Sequence, residues 1–362
     1  MASRGVEGWH RAQAQNYGPE RWELLRQALH RDVEHVCFAN PWLSPEARAR
    51  LEREYVLGPT SIPGAFTFEL PEDPLLQYAV AEGDDESCVF VEPESEDKRR
   101  SMANLPPGPN LAPFFFVDGA NAIAALALRP DYCDRVLVAC AGPGGAALVL
   151  ASALFAQRLD GDNPPEGTLV INEVAKEAAS RFRRTAQKFL PQTLFDDIGQ
   201  GPRIIFTSAD PGTPSNSMER SGPYDKILLQ APSTVDRDLL RSGGLEQWSA
   251  AKGKVSSERQ VKWLHNALWM LKEGGVILFS SCALSPEECD GVVERLLLKA
   301  RGTFELEVLP LEQETCSMVP GLAAESTDWG ARILPDTCPY GPLYFSRLRL
   351  LRRAPGALPH LK

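Results

Sequence analysis

A glycine-rich turn near residue 140 is the first segment whose composition indicates chemistry. The apolar run 136–138 leads into it, and a helix is predicted for residues 146–157. The turn consists of Cys140, Ala141, Gly142, Pro143, Gly144 and Gly145. Glycines at such a position let a cofactor approach backbone N–H groups and the positive end of a helix. A tight strand-to-helix turn also needs glycine without a ligand, so the turn alone leaves both explanations open.

Two carboxylates follow the next two apolar runs. Residues 169–171 end in Asn172 and Glu173, and residues 204–206 lead to Asp210. A carboxylate at the end of a strand can accept hydrogen bonds from both hydroxyls of a ribose, and Asp210 could hold an adenine amino group. A surface glutamate that starts a helix and an aspartate that opens a turn are the structural alternatives.

A cysteine and two polar residues follow the last two runs. Residues 227–229 lead into Gln230 and Ser233, and residues 276–279 lead into Cys282. A cysteine thiolate can attack a substrate and form a covalent intermediate. A lone cysteine at the end of a strand is, however, more often a small buried hydrophobic residue.

The five apolar runs alternate with helical segments, which is typical of a parallel sheet covered by helices on both faces. The sequence therefore predicts an α/β fold with a mostly parallel, doubly wound sheet over residues 105–350. Ligands of such sheets bind outside the carboxyl ends of the strands, so we expect the polar residues above to converge there. Ser257 and Gln260 predict a capping box for a helix that ends at Gly274 and Gly275, just before the strand that carries Cys282.

Residues 1–104 are predicted to be a helical N-terminal region and an acidic linker, and residues 351–362 a tail. An apolar face formed by Trp22, Leu25, Leu29, Val33 and Val36 predicts a helix over residues 19–37, expected to pack on its own domain. A second short helix is predicted after Ser44. Residues 82–97 contain eight acidic residues and are predicted to form a solvated linker or an exposed hairpin.

Composition excludes several classes of function. The 362 residues are 43% hydrophobic and 24% charged, and no apolar run approaches the length of a membrane span. The net charge of −10 disfavours nucleic-acid binding over the surface as a whole, so any RNA contact must be a local patch or be shared with a basic partner. Eight cysteines without a Cys-x-x-Cys pair and only five histidines indicate neither a disulfide framework nor a zinc site, and a reducing compartment is expected.

The order of these five strand-end motifs resembles that of the Sun-type (NOL/NOP/Sun) RNA cytosine-5 methyltransferases. The resemblance covers residues 105–350 and continues through residues 332–335 and 340–345. It implies a Rossmann-like S-adenosylmethionine methyltransferase sheet with a helical N-terminal extension, in which S-adenosylmethionine lies on residues 140–146, Glu173 and Asp210. The N-terminal helix and the Thr-x-Asp-Arg ending of the fourth motif are most similar to the mitochondrial ribosomal-RNA branch, whose members pair with an mTERF-type protein.

The resemblance also assigns chemical roles. In the family one cysteine adds to carbon 6 of cytosine, a carboxylate supports the ring nitrogen, and a second cysteine helps to release the product. The attacking cysteine matches Cys282. The releasing cysteine matches Ser233, and the carboxylate matches Gln230. The family's glycine turn opens after an aspartate and closes with a lysine, whereas this sequence has Val138 and Ala146 there.

Two main functional hypotheses follow. The favoured one is a catalytically impaired, methyltransferase-like scaffold that binds rRNA and protein in assembly of the mitochondrial large ribosomal subunit, docked on an mTERF-like partner. The alternative is an active rRNA 5-methylcytosine methyltransferase, and a small-molecule methyltransferase is less favoured. Basic residues cluster at 181–184 and at 347–353. Each cluster could be an RNA patch. With at least equal weight, the first is interpreted as a solvated helix face and the second as a charged strand edge.

Overall fold

The computed structural model describes residues 4–54, 56–69, 111–156, 166–197, 201–213, 216–311, 319 and 322–357. The acidic segment 82–97 lies outside these residues. The chain begins with helices α1 (Gly5–Tyr17), α2 (Pro19–Leu29) and α3 (Pro45–Glu54) and includes strands β1 (His35–Ala39), β2 (Val56–Pro59) and β3 (Ala65–Glu69). With β4 (Phe114–Asp118) these strands form an antiparallel sheet in the order β2-β3-β1-β4.

The predicted helix over residues 19–37 is wrong in its second half. The helix ends at Leu29, and Val36 lies in β1, where it pairs with Val117 of β4. β-Branched and aromatic residues favour strands, and residues 35–39 bury their apolar side chains against β3 and β4 instead. The helix predicted after Ser44 is confirmed as α3, because the Ser44 hydroxyl accepts a hydrogen bond from the Ala47 N–H at 3.2 Å.

The five predicted parallel strands are confirmed. They are β5 (Arg135–Val138), β6 (Thr168–Asn172), β7 (Ile204–Thr207), β8 (Tyr224–Gln230) and β9 (Leu271–Ser281), and every pairing among them is parallel. The sheet continues with β10 (Phe304–Leu309), β11 (Ala324–Ser326), β12 (Ala331–Ile333) and β13 (Leu343–Arg353). Its order is β11-β12-β13-β9-β8-β5-β6-β7, with β10 paired to β13.

Helices cover both faces of this sheet. They are α4 (Gly119–Ala127), α5 (Gly145–Phe155), α6 (Lys176–Phe189), α7 (Asn216–Arg220), α8 (Asp236–Arg241), α9 (Ala250–Met270) and α10 (Asp290–Ala300). Val136 and Val138 belong to one buried apolar cluster, and Leu137 between them belongs to another on the opposite face. Because successive side chains of a strand point to opposite faces, this separation identifies a doubly wound sheet with two cores.

The capping box predicted at Ser257 and Gln260 is wrong. Helix α9 begins seven residues before Ser257, and its N-cap is Ser249, whose side chain accepts from the Lys252 N–H. The Gln260 amide instead donates to the Pro232 carbonyl at 3.0 Å. The helix ends at Met270, before Gly274, because the chain enters β9 at Leu271. The spacing of Ser257 and Gln260 is typical of a helix N-terminus, but it also suits the interior of a helix that faces a polar loop.

Residues 347–353 belong to a strand in the interior of the sheet. Strand β13 runs to Arg353 and lies inside the sheet, paired with β9, with β12 and with β10. Residues 347–353 therefore do not form a charged strand edge, and the predicted tail begins within a strand. Antiparallel β10, from residues 304–309, covers that edge.

The N-terminal helix pair packs on its own domain, as expected. Trp9, Trp22, Leu25 and Leu29 are buried together with Leu245, Trp248, Leu284 and Leu334. The side chain of Arg21 forms ion pairs with Glu325 and Asp336. Within the part of the chain that the structure describes, no helix is long and apolar enough to cross a membrane.

Candidate functional site

The glycine turn after β5 has one crowded side and one open side. Gly142 and Gly144 adopt left-handed backbone conformations, with φ of 55° and 96°. A Cβ atom on Gly144 would lie 1.9 Å from the ring of Phe182, so this glycine lets α6 pack against the turn. A Cβ atom on Gly142 would meet nothing within 4 Å. The packing explanation therefore holds for Gly144, whereas Gly142 faces open space that a ligand can enter.

Glu173 lies directly against this turn. Its carboxylate accepts hydrogen bonds from the Gly142 N–H at 2.8 Å and from the Ala175 N–H at 3.0 Å. Asp210 accepts from the Gly212 N–H at 2.7 Å. Burial raises the pKa of the Cys140 thiol, and the negative charges of Glu173 and Asp210 raise it further. The ends of β5, β6 and β7 thus bring these three predicted residues together.

The same location also has a cation that the sequence analysis did not identify. The positive charge of Arg259, from α9, opposes the rise in the pKa of Cys140. Its guanidinium lies over the ring of Trp263, 5.2 Å from the ring centroid. The lysine expected in place of Ala146 is absent, and Ala146 is buried. Val138 is also fully buried between Ile171 and Leu228, in an apolar position that suits a valine better than an aspartate.

These residues fit S-adenosylmethionine. Gly142 leaves one side of the turn open, and Glu173 provides carboxylate oxygens for ribose hydroxyls beside it. Asp210 provides an acceptor for an amino group, and Arg259 provides a cation near the turn. The sulfonium methyl group that the cofactor carries when bound would be the methyl donor.

The second half of the site contains Cys282 and Ser233. The backbone N–H of Cys282 donates to the Ser233 hydroxyl oxygen at 3.2 Å, so the loops after β8 and β9 lie side by side. Burial raises the pKa of the Cys282 thiol to about 12, with further contributions from the negative charges of Asp118 and Asp238, while Arg237 lowers it. A cavity of about 390 Å³ opens beside Ser233, between the loop 233–235 and Trp248.

Gln230 is the last residue of β8, as predicted. Its side-chain amide donates to the Asn121 oxygen at 3.0 Å, which joins the end of β8 to the first turn of α4. Gln230 cannot carry a negative charge. The nearest carboxylate of that turn is Asp118, the last residue of β4, which caps α4 by accepting from the Ala120 N–H at 2.7 Å. Burial raises the pKa of Asp118.

A buried polar network supports the loops that follow β8 and β9. Asp236 is 1% exposed and accepts from the Trp9 indole N–H at 2.6 Å and from the Leu284 backbone N–H at 2.8 Å. Glu288 is fully buried and accepts from the Thr234 backbone N–H at 3.0 Å. Burial raises the pKa of Asp236 to about 6. The N-terminal helix α1 is therefore part of the support for the Cys282 loop.

Asp118, Arg237 and Trp9 were not predicted as residues of the site. Asp118 ends an apolar run, Phe114 to Val117, in the same way as the five runs that were used, so this signal was available. Nothing local to Trp9 indicates a partner that lies 227 residues away in the sequence.

The two basic stretches have different surroundings. Arg181, Arg183 and Arg184 are exposed on α6, and Arg183 lies over the Phe206 ring at 5.6 Å. In β13 the arginines contact their own domain. Arg349 pairs with Glu307 at 2.8 Å, Arg352 pairs with Glu305, and Arg347 donates to the Ala127 carbonyl at 3.3 Å. Of the two stretches, only the α6 stretch presents its arginines mainly to solvent.

Comparison with known proteins gives a consistent result. Residues 125–349 match the family model described as 16S rRNA methyltransferase RsmB/F. The chain is 26% identical over 269 residues to the 5-cytosine rRNA methyltransferase NSUN4 of Mus musculus, an alignment that covers 70% of this chain and 65% of the mouse protein. It is 26% identical over 246 residues to the mitochondrial tRNA (cytosine(34)-C(5))-methyltransferase of Danio rerio, covering 66% and 61% of the two chains.

The chain thus spans less than two thirds of the length of these relatives. Among solved structures, NSun6 from Pyrococcus horikoshii with SFG superposes with a TM-score of 0.61 at 15% identity, covering 95% of this chain and 97% of that one. At this identity the likeness establishes the fold, which is the predicted Rossmann-like methyltransferase sheet.

Proposed function

Because the chain belongs to the RsmB/F family of 16S rRNA methyltransferases, we propose that it binds ribosomal RNA in mitochondria and that its own 5-methylcytosine turnover is impaired. In this proposal it serves as a scaffold in assembly of the large ribosomal subunit. S-adenosylmethionine is the cofactor of the Sun family, and SFG, present in the Pyrococcus NSun6 structure, is an analogue of it. Gly142, Glu173, Asp210 and Arg259 are the residues we assign to holding it.

The contact between Ser233 and Cys282 carries the proposal. In the family a second cysteine assists release of the methylated base from the covalent adduct, and here a serine hydroxyl lies 3.2 Å from the Cys282 backbone nitrogen. A serine hydroxyl is far less acidic than a thiol and forms no comparable base at neutral pH. A methylated base bound covalently to Cys282 would therefore be released slowly.

The environment of Cys282 supports slow addition as well. Addition to carbon 6 requires the thiolate, and burial raises the pKa of this thiol to about 12. At pH 7.5 such a thiol is ionised in roughly one molecule in 10⁴ to 10⁵. Gln230, whose amide is bonded to Asn121, cannot stabilise a protonated ring nitrogen as a carboxylate would. Addition to carbon 6 needs a thiolate, and the ring nitrogen needs a carboxylate beside it. This site favours neither negative charge.

Methyl transfer by the purified chain tests impairment directly. Mitochondrial rRNA that lacks 5-methylcytosine is incubated with tritiated S-adenosylmethionine, with wild type and Cys282→Ala compared in parallel. We expect incorporation by wild type to stay close to that of Cys282→Ala. Robust incorporation that Cys282→Ala abolishes would establish the alternative, an active rRNA 5-methylcytosine methyltransferase.

The proposed location and partner rest on likeness and charge. One relative is named as mitochondrial, and the net charge of −10 means that a basic partner would strengthen RNA binding. We propose an mTERF-like helical-repeat protein as that partner. Affinity purification from mitochondria should recover this partner together with large-subunit rRNA. Recovery of neither, or a wholly cytosolic distribution of the protein, would contradict the assignment.

A further inference from the structure

Helix α6 presents a basic surface to solvent. It buries Phe182, Ala186 and Phe189 in one core of the sheet, and the opposite half of the helix is exposed. That half has one acidic residue, Glu177, and five basic residues, which we call the α6 basic face: Lys176, Arg181, Arg183, Arg184 and Lys188. In a chain with a net charge of −10, this face is a local reversal of sign.

The spacing of these cations is unfavourable for the helix by itself. Arg181 and Arg184 are three residues apart, and Arg184 and Lys188 are four apart, so their side chains are neighbours on successive turns. Like charges at these spacings repel each other and weaken a helix. Glu177, four residues before Arg181, can offset only part of this repulsion. An anion with several charges along the α6 basic face would relieve it.

The chain itself contains a segment with the complementary charge. Residues 82–97 include eight acidic residues and no basic residue, so they account for most of the net charge of −10. RNA is the other anion that carries many charges. RNA would have to approach the helix from dilute solution and against the net charge of the chain, whereas the acidic segment is covalently joined to the same chain.

The position at which the chain returns from this segment is next to the end of α6. The described residues stop at residue 69 and resume at Leu111. The Ala112 N–H donates to the Lys188 carbonyl at 2.7 Å. The Asn40 side-chain amide donates to the carbonyls of Ala112 and Phe189, both at 2.8 Å. These bonds fix the chain that follows the acidic segment against the last turn of α6.

We propose that the acidic segment 82–97 docks on the α6 basic face of its own chain. Asp97 is 14 positions before Leu111, which corresponds to at most about 46 Å of extended chain. Helix α6 has 14 residues and is only about 21 Å long, so its whole basic face is within reach.

The covalent link also determines the expected strength and salt dependence of docking. A short link raises the effective concentration of the segment at the helix to the order of millimolar. Surface ion pairs that are weak one by one can then hold the segment together as a network. Salt should release it, because the Debye length falls from about 10 Å at 0.1 M to about 3 Å at 1 M ionic strength.

Crosslinking of the purified full chain with a carbodiimide tests the proposal. The reagent joins a lysine amine to a carboxylate in contact with it, and mass spectrometry of the monomer band identifies the linked peptides. Lys188 lies beside the point where the chain returns, so the informative lysine is Lys176, about 18 Å further along the helix. We expect links from Lys176 to residues 82–97 at low salt, and about fivefold fewer in 1 M NaCl. Lys262 is exposed on α9, which packs in the other core, and should give none.

Two double variants separate the α6 basic face from charge in general. Arg181→Gln with Arg184→Gln removes two cations but no lysine, and should lower the Lys176 links about fivefold. The matched control, Arg48→Gln with Arg301→Gln, removes two exposed arginines elsewhere and should leave the links unchanged.

Three results would overturn the proposal: no links from Lys176 at low salt, links that persist in 1 M NaCl, or an equal loss of links in both double variants. A labelled ten-nucleotide RNA provides the fourth. If the α6 variant weakens binding of this RNA while its links remain, the face belongs to RNA and the proposal is wrong. The links do not depend on methyl transfer or on recovery of rRNA from mitochondria, so this proposal and the proposed function fail separately.

Discussion

Replacing Trp9 by phenylalanine tests the contact that joins the N-terminal helices to the Cys282 loop. Trp9 is fully buried, and its indole N–H donates to one oxygen of Asp236 at 2.6 Å. The other oxygen of Asp236 accepts from the Leu284 backbone N–H, two residues after Cys282. Phenylalanine keeps an aromatic ring in the cluster but removes the donor. The variant therefore isolates one hydrogen bond and a small loss of volume.

The expected cost follows from these two changes. A hydrogen bond to a buried charged group contributes about 1.5–3 kcal/mol. The smaller ring leaves a void of roughly 40 Å³, which adds about 1 kcal/mol at about 24 cal/mol per Å³. At pH 8, where Asp236 is ionised, we therefore expect Trp9→Phe to lower the free energy of unfolding by about 2.5–4 kcal/mol.

The cost should shrink at low pH. Burial raises the pKa of Asp236 to about 6, and the bond from Trp9 works in the opposite direction. Between pH 4 and 6 the folded state holds a proton that the unfolded state has lost, so the contribution of Asp236 to stability falls as pH rises through this range. Without the Trp9 bond the pKa rises further, and the fall extends to higher pH. At pH 5 the carboxyl is mostly neutral, so the variant loses a hydrogen bond worth about 0.5–1.5 kcal/mol. With the void of about 1 kcal/mol we expect a cost of only about 1.5–2.5 kcal/mol.

Urea unfolding followed by circular dichroism at pH 5 and pH 8 measures both values. All variants carry His10→Gln, because the titrating His10 ring lies 5.1 Å from the Trp9 ring, and all retain Glu288, whose charge also acts on Asp236. The control is Trp248→Phe, which makes the same change of ring in the same cluster and should cost about 1 kcal/mol at both pH values. A Trp9→Phe cost equal to that of Trp248→Phe, or independent of pH, would refute the reasoning.

Three further predictions concern the site itself. Gly144→Ala should destabilise the protein by about 2–5 kcal/mol, because residue 144 has a left-handed backbone conformation and its new Cβ would collide with Phe182. Gly142→Ala should cost about 1–2 kcal/mol from backbone strain alone. Thermal melts compare the two variants, and equal costs would contradict the finding that the turn is open at Gly142. Glu173→Gln should weaken S-adenosylhomocysteine binding about tenfold by calorimetry, while the exposed control Glu177→Gln should leave it unchanged; an unaffected Glu173 variant would argue against the assigned ribose contact. Gln230→Asp combined with Ser233→Cys should raise methyl transfer about 10²-fold, and each single change by less than about threefold, because groups that act together in catalysis are not additive; a single change that restores full activity would contradict this.

The sequence was sufficient for the parallel sheet and for the residues at its strand ends. A fully buried strand is apolar along its whole length, and a short apolar run followed by a polar turn reports this wherever it occurs, as in residues 136–138 and 276–279. Because parallel strands align their carboxyl ends, the common position of Gly142, Glu173 and Cys282 at one edge of the sheet followed from the strands alone.

Helix boundaries were less predictable. Helix α9 begins at Ala250, not near Ser257, and the predicted helix over residues 19–37 gives way to β1. In both places a local spacing was compatible with more than one structure. Packing against the loop at Pro232 and against β4 decided between them, and neither contact lies within the pattern itself.

The surroundings of Cys282 depended on the tertiary structure entirely. The large apolar ring of Trp9 favours burial, but nothing in the sequence shows that its indole meets Asp236, 227 positions later. A motif shows that Arg237 follows a strand, but not that the charge of Asp118 acts on it or that its buried Nε atom has no hydrogen-bond partner among the described residues. Whether an apolar side chain is buried depends mainly on its own chemical type and can be predicted from the local sequence. Which partner a buried charge finds depends on the distant segment that the fold brings within about 3 Å of it.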